Sequence, residues 1–133
     1  MTGKKNFSNL DNEVDFIEII RRGVPKKILD HLMVRTGISP DEMALILHIS
    51  DRTLRRYTPQ TLLNEEQTER LIELAKLYSR GEHVFGSMEY FKNWMNNLVI
   101  ALGNKKPKEF LDTSIGINIL LDELGRIEYG IYS

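Results

Sequence analysis

Residues 39–58, SPDEMALILHISDRTLRRYT, decide the fold of this chain because they predict two short helices joined by a tight turn. Ser39 can cap the first helix, Pro40 suits its first position, and Glu42 can reach back to complete a capping box. His48 occupies the turn, where the backbone tends to positive φ and where histidine is tolerated better than most side chains. Together these signals predict a helix-turn-helix.

The second helix of this unit carries three arginines. Leu54 and Tyr57 lie three residues apart and should pack inward, which leaves the arginines on the opposite face. An inward-packed helix with cations on its outer face has the geometry that a major groove accepts. The alternative is an ordinary helical hairpin whose arginines are solvated. We predict that DNA is contacted from the N-terminus and outer face of this helix, by Ser50, Arg52, Thr53, Arg55 and Arg56.

Composition limits the possible functions. The 133 residues include no cysteine, which excludes disulfides and thiolate metal sites and fits a cytoplasmic protein. No apolar run approaches membrane-spanning length. The net charge of −1 argues against a general polyanion binder, yet residues 24–58 hold 6 basic and 4 acidic residues, while residues 59–133 hold 8 and 11. Phosphate binding by the first half is therefore plausible, more so in a dimer that presents two such faces.

The rest of the chain predicts an all-α protein in two parts. Residues 1–12 are polar and are expected to form a flexible arm, followed by a helical DNA-binding region over 13–80 and a C-terminal domain over 81–133. Pro25 and Gly37 should bound one helix, and Asn64 with Gln67 should form a second capping box. Gly81 and Gly86 predict a loop over residues 82–85 between the two parts.

The C-terminal part contains two more predicted helices. Ser87 should begin one, and its apolar residues Tyr90, Phe91, Trp94, Met95 and Leu98 are expected in the core. Thr113 should cap the last, with Ile115, Ile119, Leu120 and Leu124 facing inward. The end of the chain, GRIEYGIYS from residue 125, predicts an apolar tail that either packs on the protein or awaits a partner.

No catalytic arrangement emerges from the sequence. His31, His48 and His83 lie far apart, without metal-ligand spacing or a neighbouring nucleophile motif. The glycines are scattered singly at predicted helix ends, so no loop suited to cradling phosphate is present. We predict no enzyme, no catalytic residue, no cofactor and no metal site, although a catalytic site assembled from distant residues stays an alternative.

Four separated segments resemble the Xre/ParS/MbcA antitoxin family. They are ISDRTLRRY at residues 49–57, VFG at 84–86, ALGNKKPKEFLDT at 101–113 and GRIEYGIY at 125–132. Their order matches the family and they span nearly the whole chain. The sequence departs from the common pattern at Asn104, where a second glycine is usual, and at Lys108, where bulky apolar residues are usual.

The resemblance implies a function by binding. It implies an Xre-like helix-turn-helix, a C-terminal toxin-binding domain, and a partner toxin of the RES class, an enzyme that consumes NAD. It also implies a homodimer that represses its own operon at operator DNA. By the same resemblance, the tail would cover the toxin's NAD cleft through Arg126, Ile127, Glu128, Tyr129, Ile131 and Tyr132. Tyrosine and arginine are frequent interface anchors. The alternative from the same sequence is a stand-alone repressor whose C-terminal half binds itself or a small ligand.

Overall fold

The chain is an all-α protein, as predicted. The computed structural model describes the backbone of residues 9–130 and the side chains of residues 13–130, and within this range there are isolated bridges but no sheet. Two 3-10 turns, Ile100–Leu102 and Pro107–Phe110, precede the last helix. The helices in chain order are α1 (Asn9–Arg22), α2 (Lys26–Thr36), α3 (Pro40–Leu47), α4 (Asp51–Arg56), α5 (Glu65–Phe85), α6 (Met88–Met95) and α7 (Ser114–Glu128).

The predicted caps are present. Gly37 ends α2 with φ 77°, a backbone conformation that glycine adopts without a Cβ penalty. Ser39 accepts a hydrogen bond from the Glu42 backbone N–H, and the Glu42 carboxylate accepts one from the Ser39 N–H. The same reciprocal pair joins Asn64 and Gln67 at the start of α5. Each box satisfies helix N–H groups that have no partner within the helix.

Helix α5 is the centre of the fold because α1, α2, α3, α6 and α7 all pack against it. Its inward residues join one hydrophobic cluster that draws on both parts of the chain. The fully buried apolar members of this cluster are Leu29, Met43, Leu74, Leu77, Phe91, Leu120 and Leu124.

The predicted loop over residues 82–85 is wrong, because these residues form the last turn of α5. Gly81 lies inside the helix and is buried; a Cβ there would come within 2.4 Å of the Phe91 ring. The glycine therefore serves close packing rather than breaking the helix. Glu82, placed on the helix, pairs with Arg35 of α2 at 2.5 Å, and α5 ends only at Gly86 with φ 85°.

The aromatic helix is shorter than predicted. Ser87 caps α6 as expected, but the helix ends at Met95, and Leu98 is 58% exposed. Phe91 is fully buried against Tyr78, with ring centroids 5.1 Å apart in an edge-on arrangement. Tyr90 is 63% exposed because it lies on the opposite side of the helix, so its predicted core position is wrong.

Two further elements near the chain ends differ from the sequence-based expectation. Ile115 and Ile119 are 74% and 38% exposed, because α7 turns a different face, including Leu120 and Leu124, towards α5. That buried face includes the carboxylate of Glu123, which is 2% exposed.

At the N-terminus, α1 begins at Asn9, so residues 9–12 of the predicted arm are helical, and residues 1–8 lie outside the described residues.

Candidate functional site

Helix α4 is held against the protein by its apolar side. Ser50 Oγ accepts from the Thr53 backbone N–H at 2.9 Å and caps the helix. Leu54 is 2% exposed, and the Tyr57 hydroxyl accepts from the Gln67 side chain at 3.1 Å. A helix of six residues is too short to persist alone, so these contacts with α5 and the preceding turn fix its orientation.

The outer face of α4 presents the three arginines to solvent. The guanidinium of Arg55 pairs with the Asp51 carboxylate one turn earlier. Arg52 and Arg56 are exposed and make no ion pair with any residue among 13–130. Their positive charge is therefore not offset locally, whereas that of Arg55 is. All five residues predicted to bind DNA lie together on α4 and its N-cap.

The turn of the helix-turn-helix is joined to the C-terminal part. His48 adopts φ 61°, the left-handed conformation that its turn position requires, and caps α3. Its Nε2 donates to the Asp112 carbonyl oxygen at 2.7 Å. Lys108 Nζ lies 3.4 Å from the Glu42 carboxylate of α3. Neither contact could be predicted from the sequence, because the paired residues are more than 60 positions apart.

These contacts shape the electrostatics of Glu42. The hydrogen bond from the Ser39 backbone N–H, together with the nearby Lys108 ammonium, holds the pKa of Glu42 below its ordinary value of 4.5, although partial burial opposes the shift. Glu42 therefore stays ionised at neutral pH. The same carboxylate therefore completes the capping box with Ser39 and forms the ion pair with Lys108 of the C-terminal part.

The first residues of the predicted C-terminal tail are helical. Arg126, Ile127 and Glu128 form the last turn of α7, and Arg126 donates to the buried Glu123 carboxylate at 3.1 Å. Ile127 is half-buried. These three residues are therefore part of the folded body and not a free segment.

Glu128 and Tyr129 differ in their surroundings. The hydrogen bond from Arg80 of α5 holds the pKa of Glu128 below its usual range, and His83 Nε2 lies 3.5 Å from the same carboxylate. Tyr129 is 77% exposed. Ile131 and Tyr132, the other two residues predicted to contact a toxin, lie outside the described residues.

The part of the chain that the structure describes contains neither a metal-binding cluster nor a membrane-spanning helix. No group of three or more histidines, aspartates or glutamates is placed there to hold a metal ion. Among its helices, none has both the length and the apolar character needed to cross a membrane.

The family models match this architecture in order along the chain. The antitoxin Xre-like helix-turn-helix domain matches residues 15–76, and the antitoxin Xre/MbcA/ParS C-terminal toxin-binding domain matches residues 80–130. The chain belongs to the Xre/MbcA/ParS antitoxin family. It is thus an antitoxin of a toxin–antitoxin system, with a helix-turn-helix and a toxin-binding domain joined by α5.

Curated relatives of this antitoxin agree with the assignment. Antitoxin Xre of Yersinia enterocolitica is 25% identical over 119 residues, covering 88% of this chain and 80% of the relative. A protein named Prs ADP-ribosylating antitoxin, from Sphingobium, is 25% identical over 130 residues, with 90% and 82% covered. Antitoxin Xre of Photorhabdus laumondii is 25% identical over 117 residues, with 86% and 79% covered.

Proposed function

We propose that this antitoxin binds and sterically inhibits a RES-type toxin that consumes NAD, and that it represses its own operon through the helix-turn-helix. Inhibition is by binding and needs no catalytic group. Both activities take place in the cytoplasm, where the operator DNA lies. The observation that carries the proposal is the combination, on one folded body, of two exposed arginines on α4, Arg52 and Arg56, that make no ion pair among residues 13–130, and a toxin-binding domain with exposed apolar side chains.

The exposed apolar residues of the C-terminal part support a protein partner. Ile100 is 86% exposed, and Ile115 and Tyr129 are 74% and 77% exposed. Large apolar side chains are costly to hydrate, so each of these three would gain from burial against a partner. All three lie within the matched toxin-binding domain.

A toxin that acts on NAD is favoured by the family and by one relative. The Sphingobium protein is named for ADP-ribosylation, a reaction whose donor is NAD. The tail residues predicted to bind toxin, from Arg126 to Tyr132, would reach the toxin's cleft from the end of α7. With Arg126 and Glu128 engaged in the fold, Tyr129, Ile131 and Tyr132 carry most of this role.

Operator binding rests on Arg52 and Arg56. Their guanidinium groups are exposed on a helix whose opposite side is fixed by Leu54. Arginine donates bidentate hydrogen bonds to guanine in the major groove and also contacts phosphates. Two half-sites one helical turn apart need two recognition helices about 34 Å apart. We therefore include a homodimer in the proposal.

Co-expression with the product of the neighbouring gene, which the proposal predicts to be a RES-type toxin, tests the whole proposal. We expect growth to be rescued, the two chains to copurify, and cellular NAD to stay at its uninduced level. A chain carrying Arg52→Ala and Arg56→Ala should still rescue growth but should not repress a reporter placed behind the operon's promoter. Copurification without rescue contradicts inhibition, and absence of both favours the stand-alone repressor.

A further inference from the structure

A cavity of about 480 Å³ lies between α3 of the helix-turn-helix and the C-terminal part of the chain. Sites for small organic molecules usually measure about 300–1,000 Å³ and combine apolar walls with a few converging polar groups. Here Ile46, Met95 and Leu111 supply apolar wall. The cavity therefore has the size and surface of a small-molecule site, at a place that neither the helix-turn-helix nor the toxin-binding role explains.

The phenol of Tyr78 lines this cavity without a hydrogen-bond partner. Tyr78 is 4% exposed, and no residue in the described range 13–130 bonds to its hydroxyl. The hydroxyl oxygen is itself open to the cavity, so water reaches it, and a ligand that replaces this water can accept its hydrogen bond. Burial also raises the pKa of Tyr78, so the hydroxyl keeps its proton and can act as a donor.

Two lysines face the same space. Lys108 pairs with Glu42 at 3.4 Å, and Lys92 makes no ion pair with any residue that the structure describes. The Glu109 carboxylate, also on the lining, accepts from the Lys106 backbone N–H at 3.2 Å. Of the three acidic residues on the lining, Glu42 and Glu109 already have partners for their carboxylates, and Asp112 is exposed to solvent. The Tyr78 hydroxyl and the Lys92 ammonium are donors without a partner among residues 13–130.

We propose that this cavity binds a small organic anion, with its apolar body against Ile46, Met95 and Leu111 and its charged group accepting hydrogen bonds from Tyr78, Lys92 and Lys108. The ligand would touch α3 on one side and the C-terminal part on the other. It would therefore add to the His48–Asp112 and Glu42–Lys108 contacts that already hold the helix-turn-helix against the toxin-binding domain. This binding activity is additional to toxin inhibition and operator binding.

Anilinonaphthalene sulfonate, an aromatic body with one anionic group, is the probe. Its fluorescence in titrations of the full chain should report saturable binding. Tyr78→Phe, which keeps the ring, and Lys92→Met, which keeps most of the stem, should each weaken binding about tenfold because each removes one donor to the anion. Lys105→Met is the matched control, since Lys105 is an exposed lysine outside the cavity, and it should leave the affinity unchanged.

A pair of competing ligands tests whether the cavity selects a negatively charged group. Naphthoate should displace the probe, whereas naphthylmethylammonium, with the same apolar body and the opposite charge, should not. Thermal unfolding of each variant confirms that it is folded. Equal probe affinity in all four proteins, unsaturable binding, or equal competition by the two naphthalene compounds would each overturn the proposal.

Discussion

The ring of Phe91 packs directly on the backbone of Gly81. A Cβ built at Gly81 would lie 2.4 Å from three atoms of that ring, closer than two carbons can approach. This contact brings α6 against the centre of α5 and explains a glycine in the interior of a helix of 21 residues.

We expect Gly81→Ala to lower the free energy of unfolding. The added methyl must displace Phe91, which is fully buried, and overpacking of this kind costs about 1–3 kcal/mol. Gly125→Ala in α7 is the matched control, because a Cβ there meets nothing within 4 Å. The control should raise stability by about 0.5–1 kcal/mol through helix propensity. Urea denaturation measures both, and a stabilised Gly81→Ala would contradict the packing argument.

Removal of the unpaired arginines should abolish operator binding. We expect Arg52→Ala with Arg56→Ala to eliminate the gel shift of the promoter upstream of the gene, since one bidentate arginine–guanine contact alone contributes about 1–3 kcal/mol. Arg55→Ala should have a smaller effect, because Asp51 already pairs with Arg55. All three proteins should unfold at similar temperatures. Equal shifts at matched salt would remove Arg52 and Arg56 from the DNA interface.

The contribution of Glu42 to stability should be lost in acid. Its pKa is lowered in the folded state, so the folded protein binds this proton less readily than the unfolded chain does. The stabilisation is then fully present above the ordinary pKa of 4.5 and disappears as pH falls through the lower folded value. Glu42→Gln should flatten the fall of unfolding free energy below about pH 4.5. Glu18→Gln, at an exposed site on α1, should retain the wild-type slope.

The end of the chain should be needed for inhibition. We expect deletion of residues 130–133, or Tyr132→Ala, to weaken neutralisation of the toxin while helix content and DNA binding stay unchanged, because the lost contacts are with the partner. Tyr90→Ala removes another exposed tyrosine from the C-terminal part and serves as the control. NAD consumption by equimolar mixtures measures inhibition. If the truncated chain still silences the toxin, inhibition comes from elsewhere in the domain.

The antitoxin should be a homodimer without toxin. We expect contacts through helices that flank the helix-turn-helix, or through α6 around Trp94. Static light scattering at tens of micromolar should give twice the chain mass of 15.5 kDa. A mass of one chain would contradict the dimer. Two recognition helices would then have to be brought to half-sites one helical turn of DNA apart in some other way.

Local chemistry made much of the fold predictable. The capping box at Ser39, the turn at His48 and the cap at Ser50 each depend on residues within four positions, so the sequence identifies them. The role of Gly81, in contrast, does not depend on its near neighbours in the sequence. Its role depends on Phe91, which reaches it only through the turn between α5 and α6, and a local rule therefore misassigned it to a loop.

The sites were predictable to different degrees. The predicted DNA-binding face follows from helix periodicity around Leu54, and its five residues lie together on α4 and its N-cap. The exposure of Ile115 and the burial of Glu123 depend on which face of α7 meets α5, and helical spacing alone allowed the wrong face. The donors at Tyr78 and Lys92 come together only in the folded chain, and no motif connects them.

Helix α5 begins inside the matched helix-turn-helix domain and ends inside the toxin-binding domain, spanning about 31 Å without interruption. Because helices from both parts bury their apolar faces against it, a cut near residue 80 divides one core and leaves neither piece a complete one. The two parts of the antitoxin therefore lose their folded structure together. A protease that opens this helix removes toxin binding and the helix-turn-helix in a single event.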